Sequence, residues 1–409
     1  MTFNFYLSSK ESTKNINLTI TENNFTYSFR TILRIPEPDW DAKKQRPKNI
    51  YLKKYKKLNN RIDRLKTIIS AYINNQKDQG KQIKQRSLSR EIHKVCTEKQ
   101  ISYHEESLLN FMQRYIQSKN GIICNSTYKR YKVFFNLIQR FEGTMMSQLM
   151  IQDVNSEFIK KILSFGQEEL YSENTIYRTI HFVKTILNYA ERQGIRTSVR
   201  DLDIKREKQK KEIISLTEDD LLKIKHTEVP NELEPAKDWL VISCFTGQRF
   251  SDFMKFSQEK LLDVQGKTCI KFIQQKTKKE ILLPLHPVVL NILQKNNGYF
   301  PKALDIKKYN QDIKRVAEMA GLDNILRANK RIGHRVKNIL VEKWQAITSH
   351  IGRRTFATNF YGRIPTPLLM EATGHSTEQI FMKYINAFDK ERIILLGNHF
   401  DDIYKKMTA

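Results

Sequence analysis

Apolar and polar residues alternate at the start of the chain. Phe3, Phe5 and Leu7 form one run and Ile16, Leu18 and Ile20 a second; Phe25, Tyr27 and Phe29, continuing to Ile35, form a third. A period of two marks half-buried strands. Asn23-Asn24, between the second and third runs, predicts a hairpin turn. Three short strands need a helix against them to be stable. Leu58, Ile62, Leu65 and Ile69 supply one at helical spacing. Between sheet and helix lie Pro36-Glu37-Pro38-Asp39-Trp40 and a basic stretch, Lys43, Lys44, Arg46 and Lys48. Residues 1–80 therefore predict a small β-rich domain of three strands plus a helix.

Residues 75–90 are polar and basic and read as a linker. From about 88 to 195 the period becomes helical. Phe134, Phe135, Leu137, Ile138 and Phe141 mark one helix; Ile180, Phe182, Val183, Ile186 and Leu187 mark another, ended by Gly194. Lys129, Arg130, Lys132, Arg140, Arg178 and Lys184 ride on these helices. A bundle with one basic face can clamp a duplex by neutralising phosphates, although any one of these residues alone is explained by a solvated surface. A second linker, about 196–214, holds the run from Lys205 to Lys211, which suits either a DNA crossing or a tether. A third domain, 215–409, opens where Thr217 can cap a helix whose first turn is Glu218-Asp219-Asp220. Within it, Asp238–Phe245 reads as an apolar helix ending at Gly247. Thr268–Gln274 and Glu280–Leu285 read as strands flanking a basic hairpin tip. The expected fold is multidomain and mainly α: a β-rich N-terminal domain, a helical domain, and a mixed α/β domain with a small sheet at its edge.

The 409 residues suit two or three domains. Lys and Arg number 71 against 44 Asp and Glu, a net charge of +27 spread along the chain. That field attracts polyanions. Nucleic acid is the favoured partner and an anionic membrane surface its competitor. Cys96, Cys124, Cys244 and Cys269 show no zinc spacing and read as buried reduced thiols of a cytoplasmic protein. The first residues lack a basic segment followed by an apolar one, and no apolar run reaches membrane-spanning length.

The chemistry-bearing residues lie in the last domain. Arg249 follows the Thr246-Gly247-Gln248 turn, and Lys276 sits in the hairpin Gln275-Lys276-Thr277-Lys278-Lys279. His350 and Arg353, at i and i+3, share a helix face at a helix start, where an anion is welcome. His375 follows Gly374, which is placed to end a helix; Ser376 and Gln379 are placed to form a capping box for the next. Tyr384 comes nine residues after His375. Singly, each has an ordinary explanation as an ion pair, a turn or a core aromatic.

Together, the order Arg249, Lys276, His350-Ile351-Gly352-Arg353, Gly374-His375 and Tyr384, with Asp252 as the acidic neighbour of Arg249, resembles the signature of the tyrosine recombinase (phage integrase) family. The resemblance covers roughly 215–395. Gln248 and Gly352 stand where that family often has Leu, away from the reacting groups. More weakly, 90–195 resembles the family's SAM-like core-binding domain, and the N-terminal region the arm-binding domain of integrases from Bacteroides-type mobile elements.

The resemblance implies that Tyr384 attacks a DNA phosphodiester and becomes joined to the 3′-phosphate. Arg249 and Arg353 would hold the phosphate oxygens, Lys276 would protonate the leaving 5′-oxygen, His350 would assist the tyrosine's proton, and His375 would hydrogen-bond the phosphate. It implies no metal, ATP or other cofactor. The implied partner is double-stranded DNA, at core and arm-type sites. The protein would be a monomer when free and a homotetramer on two duplexes, with an excisionase and a DNA-bending host protein as candidate accessories. A type IB topoisomerase shares the catalytic set. A catalytically idle DNA-binding regulator would be expected to have lost members of it.

Overall fold

The computed structural model describes residues 1–8, 13–22, 25–49, 52–98, 102–202, 204, 213–332 and 335–385, with residues 394, 397, 398, 400, 401, 404 and 405 of the tail. The Asn23-Asn24 turn and the whole 205–211 basic run lie outside them. So do Ile393 and Leu395. The chain divides into two compact units, 1–208 with 331–337, and 209–330 with 338–409.

The first unit holds two hydrophobic cores. Strands β1 (Thr2–Leu7), β2 (Thr13–Glu22) and β3 (Phe25–Pro36) form an antiparallel sheet in the order β1-β2-β3. Phe3 opposes Ile20 and Leu18 opposes Phe29, so the alternating apolar positions share one face. That face lies against α1 (Lys53–Asp78) and α2 (Gln85–Thr97), which follow the short pair β4 (Trp40–Asp41) and β5 (Arg46–Pro47). The expected linker at 75–90 shrinks to 79–84. Ile73 extends the α1 stripe by a turn, and Leu88, Ile92 and Val95 start another, so both helices have a face to bury.

The second core joins α3 (Leu108–Ser118), α4 (Asn125–Met145), α5 (Ser156–Glu168) and α6 (Glu173–Glu191). Aromatic rings dominate it: Phe182 meets Tyr115, Tyr131 and Phe134, with centroids 4.3–6.0 Å apart. Lys129, Arg130, Lys132 and Arg178 are exposed. Arg140 is not a surface cation as its helix position suggested; it is buried and paired with Glu169. Cys124 is exposed, whereas Cys96, Cys244 and Cys269 are buried as expected.

In the second unit, α7 (Glu218–His226) starts at Thr217, whose hydroxyl accepts from the Asp220 amide at 3.2 Å. The core is built on α8 (Glu234–Thr246), followed by the single-turn α9 (Phe250–Phe253) and the antiparallel sheet β6 (Leu261–Val264), β7 (Lys267–Ile273) and β8 (Glu280–Pro284). Helices α10 (Pro287–Lys295) and α11 (Ile306–Met319) close it. Strand β6 and a second hairpin, β9 (Ile325–Ile332) with β10 (Arg335–Glu342), had no clear signal in the apolar pattern. The single turn α12 (Lys343–Ala346) precedes α13 (Ile351–Phe360), α14 (Thr366–Thr373) and α15 (Glu378–Phe381). The cap of α15 is Thr377, not Ser376: its hydroxyl accepts from the Ile380 amide at 3.3 Å. Among the described residues, no helix is long and apolar enough to cross a membrane.

Candidate active site

Helix α13 brings two sequence motifs together. It lies so close to α8 that a Cβ on Gly352 would stand 2.0 Å from Ser243 Oγ. The missing side chain at Gly352 is thus what lets Arg353 reach the C-terminal end of α8. Arg353 is fully buried. Its Nη1 donates to Gly247 O at 2.9 Å and its Nη2 to Thr373 O at 2.8 Å. Its Nε is buried with no acceptor. Its guanidinium carbon lies 5.4 Å from the centre of the Tyr384 ring. Burial, then repulsion from Arg249, pulls its pKa down to about 10, with Tyr384 acting in the opposite sense. It remains a cation at neutral pH.

His375 is held at the end of α14, where Gly374 turns the chain with φ +70°. Its Nε2 lies 2.8 Å from Arg353 Nη2 and its Nδ1 2.8 Å from Thr373 Oγ1. A guanidinium is donor only, so Nε2 accepts and the ring proton sits on Nδ1. Thr373 receives it and passes its own hydroxyl proton to Leu369 O at 2.6 Å. Burial, then the charges of Arg353, Arg249 and Lys279, drives the His375 pKa down to about 3, so the ring is neutral. Tyr384, half-buried in a single 3-10 turn, lies with its ring 5.0 Å from the His375 ring.

Arg249 precedes α9. Its Nη1 donates to Gln274 Oε1 at 3.1 Å and lies 4.0 Å from Asp252 Oδ2. Asp252 is itself buried and accepts the Gln275 amide at 2.9 Å, which ties the arginine turn to the β7–β8 hairpin. Lys276 is exposed in that hairpin. His350 caps α13. Desolvation, then the charges of Arg354, Arg353, Arg249 and Lys276, lowers its pKa. Much of its surface is open to solvent. Arg353, His375 and Tyr384 thus meet directly, Arg249 lies near enough to Arg353 to repel it, and the charges of Arg249, Arg353 and Lys276 reach His350.

Three buried polar residues were missed or misjudged as remote. Thr373 Oγ1 accepts from His375 Nδ1. Gln274 and Gln248 are fully buried and bonded to each other, Gln274 Nε2 to Gln248 Oε1 at 3.1 Å. Gln248, expected to stand away from the site, also donates to Thr246 O at 2.8 Å and Ala372 O at 2.7 Å. Their signal in sequence was slight: Gln274 takes the inward phase of β7, two residues before Lys276.

Sequence comparison matches residues 107–199 to the phage integrase SAM-like domain and residues 206–391 to the phage integrase family, together about two thirds of the chain. Among solved structures, the Tn1549 transposon integrase in complex with a circular intermediate DNA has a TM-score of 0.53 at 15% identity, covering 71% of this chain and 99% of that one. The same integrase with transposon right end DNA gives 0.51 at 14% identity, covering 72% and 99%. A lambda integrase dimer bound to a COC′ core site gives 0.48 at 18% identity, covering 68% and 95%. No curated protein matches the sequence.

Proposed function

The chain belongs to the phage integrase family of tyrosine recombinases, which break and rejoin DNA, and from that premise we propose that Tyr384 is the nucleophile of a mobile element's site-specific recombinase. The observation that carries this reading is the seating of the Tyr384 ring against both Arg353 and His375.

Tyr384 Oη attacks the scissile phosphorus, the bond to the 5′-oxygen breaks, and a 3′-phosphotyrosyl adduct remains. His350 takes the phenol proton; its lowered pKa keeps it neutral and able to accept. Lys276 gives a proton to the leaving 5′-oxygen. Arg249 and Arg353 hold the non-bridging oxygens, where charge grows, and a planar fork suits both. The free Arg353 Nε adds a donor with no present partner. His375 must change state to bond the phosphate, because its Nε2 now accepts from Arg353. A phosphate between the two arginines offsets their repulsion, raises the His375 pKa and lets Nε2 take up a proton and donate. A 5′-hydroxyl from another strand then reverses the step without ATP, since the adduct keeps one phosphoester bond for each one broken.

The partner is double-stranded DNA. Exposed cations of the helical region, Lys129, Arg130, Lys132 and Arg178, suit its backbone at core sites. The outer face of the β1–β3 sheet, with Asn4, Tyr6, Ser28 and Arg30, suits an arm-type site. Four protomers would act on two duplexes, with an excisionase and a DNA-bending host protein as accessories. Cytoplasmic residence follows from the same reading.

The test is a suicide duplex, nicked beside the scissile position and built from the ends of the element that carries the gene. Wild type should give a covalent protein–DNA band on a denaturing gel, with chelator present, and Tyr384→Phe should give none. Binding without an adduct on every element end favours the idle regulator. Relaxation of supercoils with no exchange between two sites favours a topoisomerase.

A further inference from the structure

Gln274 ends the apolar part of β7 and begins the loop that bears Lys276. Its side chain is fully buried in a polar setting. Nε2 donates to Gln248 Oε1 at 3.1 Å and to Thr373 O at 3.0 Å. Oε1 accepts from Arg249 Nη1 at 3.1 Å and from Thr277 Oγ1 at 2.5 Å. Both donors and both lone pairs of the amide are therefore used, and the donor-only guanidinium on one side with a carbonyl on the other assigns which end is oxygen. The backbone joins in: Gln274 N donates to Lys279 O at 2.8 Å and Gln274 O accepts from Lys278 N at 2.9 Å, which closes the loop. A Cβ on Gly374 would stand 2.5 Å from Gln274 Oε1, so the glycine beside His375 leaves the amide its room.

We propose that Gln274 is a positioning residue that holds Arg249 and the Lys276 loop in one register, so that the phosphate clamp and the donor to the leaving oxygen act together. This rests on the roles given above to Arg249 and Lys276. An apolar residue of the same size would strand Gln248 Oε1 in a buried site, leave the Thr373 carbonyl with only its bond from Arg353, and release both Arg249 and Thr277.

The experiment compares adduct formation on two suicide duplexes, one with the natural 5′-oxygen at the scissile position and one with a 5′-bridging sulfur. A thiolate leaves without a proton, so only the proton-donor step is relieved. On oxygen, Gln274→Met and Lys276→Ala should each slow the adduct by about 100-fold, the scale of lost general-acid catalysis. On sulfur, both deficits should shrink at least about tenfold, while Arg249→Ala stays impaired on both. DNA binding and the melting temperature of Gln274→Met show whether it folds. Thr277→Val, which cuts only the loop-side bond, gives the same oxygen-to-sulfur contrast in smaller measure if Gln274→Met does not fold. Equal deficits on the two duplexes for Gln274→Met or Thr277→Val, with Lys276→Ala rescued, overturn the inference. If Lys276→Ala itself is not rescued, the proton-donor role of Lys276 has failed, and the inference falls with it.

Discussion

Arg140 in the first unit and Arg353 in the second are both nearly sealed from water, at 6% and 0% exposure, yet their surroundings carry opposite charge. Burial works against the Arg140 cation, but Asp63 and Glu169 outweigh it and raise its pKa. Burial works against the Arg353 cation too, and Arg249 adds repulsion, so its pKa falls. Among the described residues no carboxylate forms an ion pair with Arg353; its bonds go to two carbonyls and a neutral imidazole. A cation that only joins helices is neutralised by its neighbours. In the role proposed for Arg353, a cation kept for an anionic substrate would be left electrostatically unbalanced, at a cost to the fold.

Replacing each arginine by Met sharpens that contrast. Arg353→Met should slow adduct formation by roughly 1,000-fold and shift the melting temperature little, because relief of an unbalanced charge offsets the lost hydrogen bonds. Arg140→Met should do the reverse. It should remove about 3 kcal/mol of stability in urea unfolding, the low end for a broken buried pair because Glu169 stays 25% exposed. The adduct rate of its folded fraction should stay near the parent value. Matching losses of rate and stability in both variants would dissolve the distinction.

A smaller effect should come from Thr373→Val, which removes the hydroxyl that accepts from His375 Nδ1 and helps orient the ring. Roughly tenfold slower adduct formation and about 1 kcal/mol of lost stability are expected; an unchanged rate would show that the ring is oriented by packing alone.

The smallest effect is one of pH. Folded His375 has a pKa of about 3 against an ordinary 6.5, so between those values the unfolded chain binds the extra proton. Its contribution is intact above about pH 6.5 and is lost as pH falls toward 3. His286 and His350 are lowered as well and act in the same sense. Urea unfolding should therefore lose more stability between pH 7 and pH 5 in wild type than in His375→Gln. Equal losses would mean that the imidazole titrates normally.

Elements with one apolar face were legible in the chain. Phe3, Phe5 and Ile20 marked a sheet, Ile62 and Ile69 a helix, and Thr217 a helix start, because periodicity and capping are local. The β9–β10 hairpin was not legible. Ile325 and Leu340 are exposed at 64% and 65%, so among its described residues this ribbon buries no regular apolar face. The 75–90 stretch misled for a related reason: long polar faces on α1 and α2 masked their narrow apolar stripes.

By itself, the sequence determined the order of the chemistry-bearing residues, the helix of His350 and Arg353, the hairpin of Lys276 and the helix end before His375, since these follow from spacing and from the short reach of backbone hydrogen bonds. It also determined a strongly basic chain, which is arithmetic. Only the tertiary structure decided that Arg140 is a core residue and Arg353 an unbalanced cation, that His375 carries its proton on Nδ1, and that Gln248 and Gln274 tie the first arginine to the hairpin. Those properties depend on which groups, 2 to 124 positions apart in the chain, meet at 2.7–3.1 Å in buried surroundings. Desolvation makes each such meeting strong, and no local pattern along the chain records it.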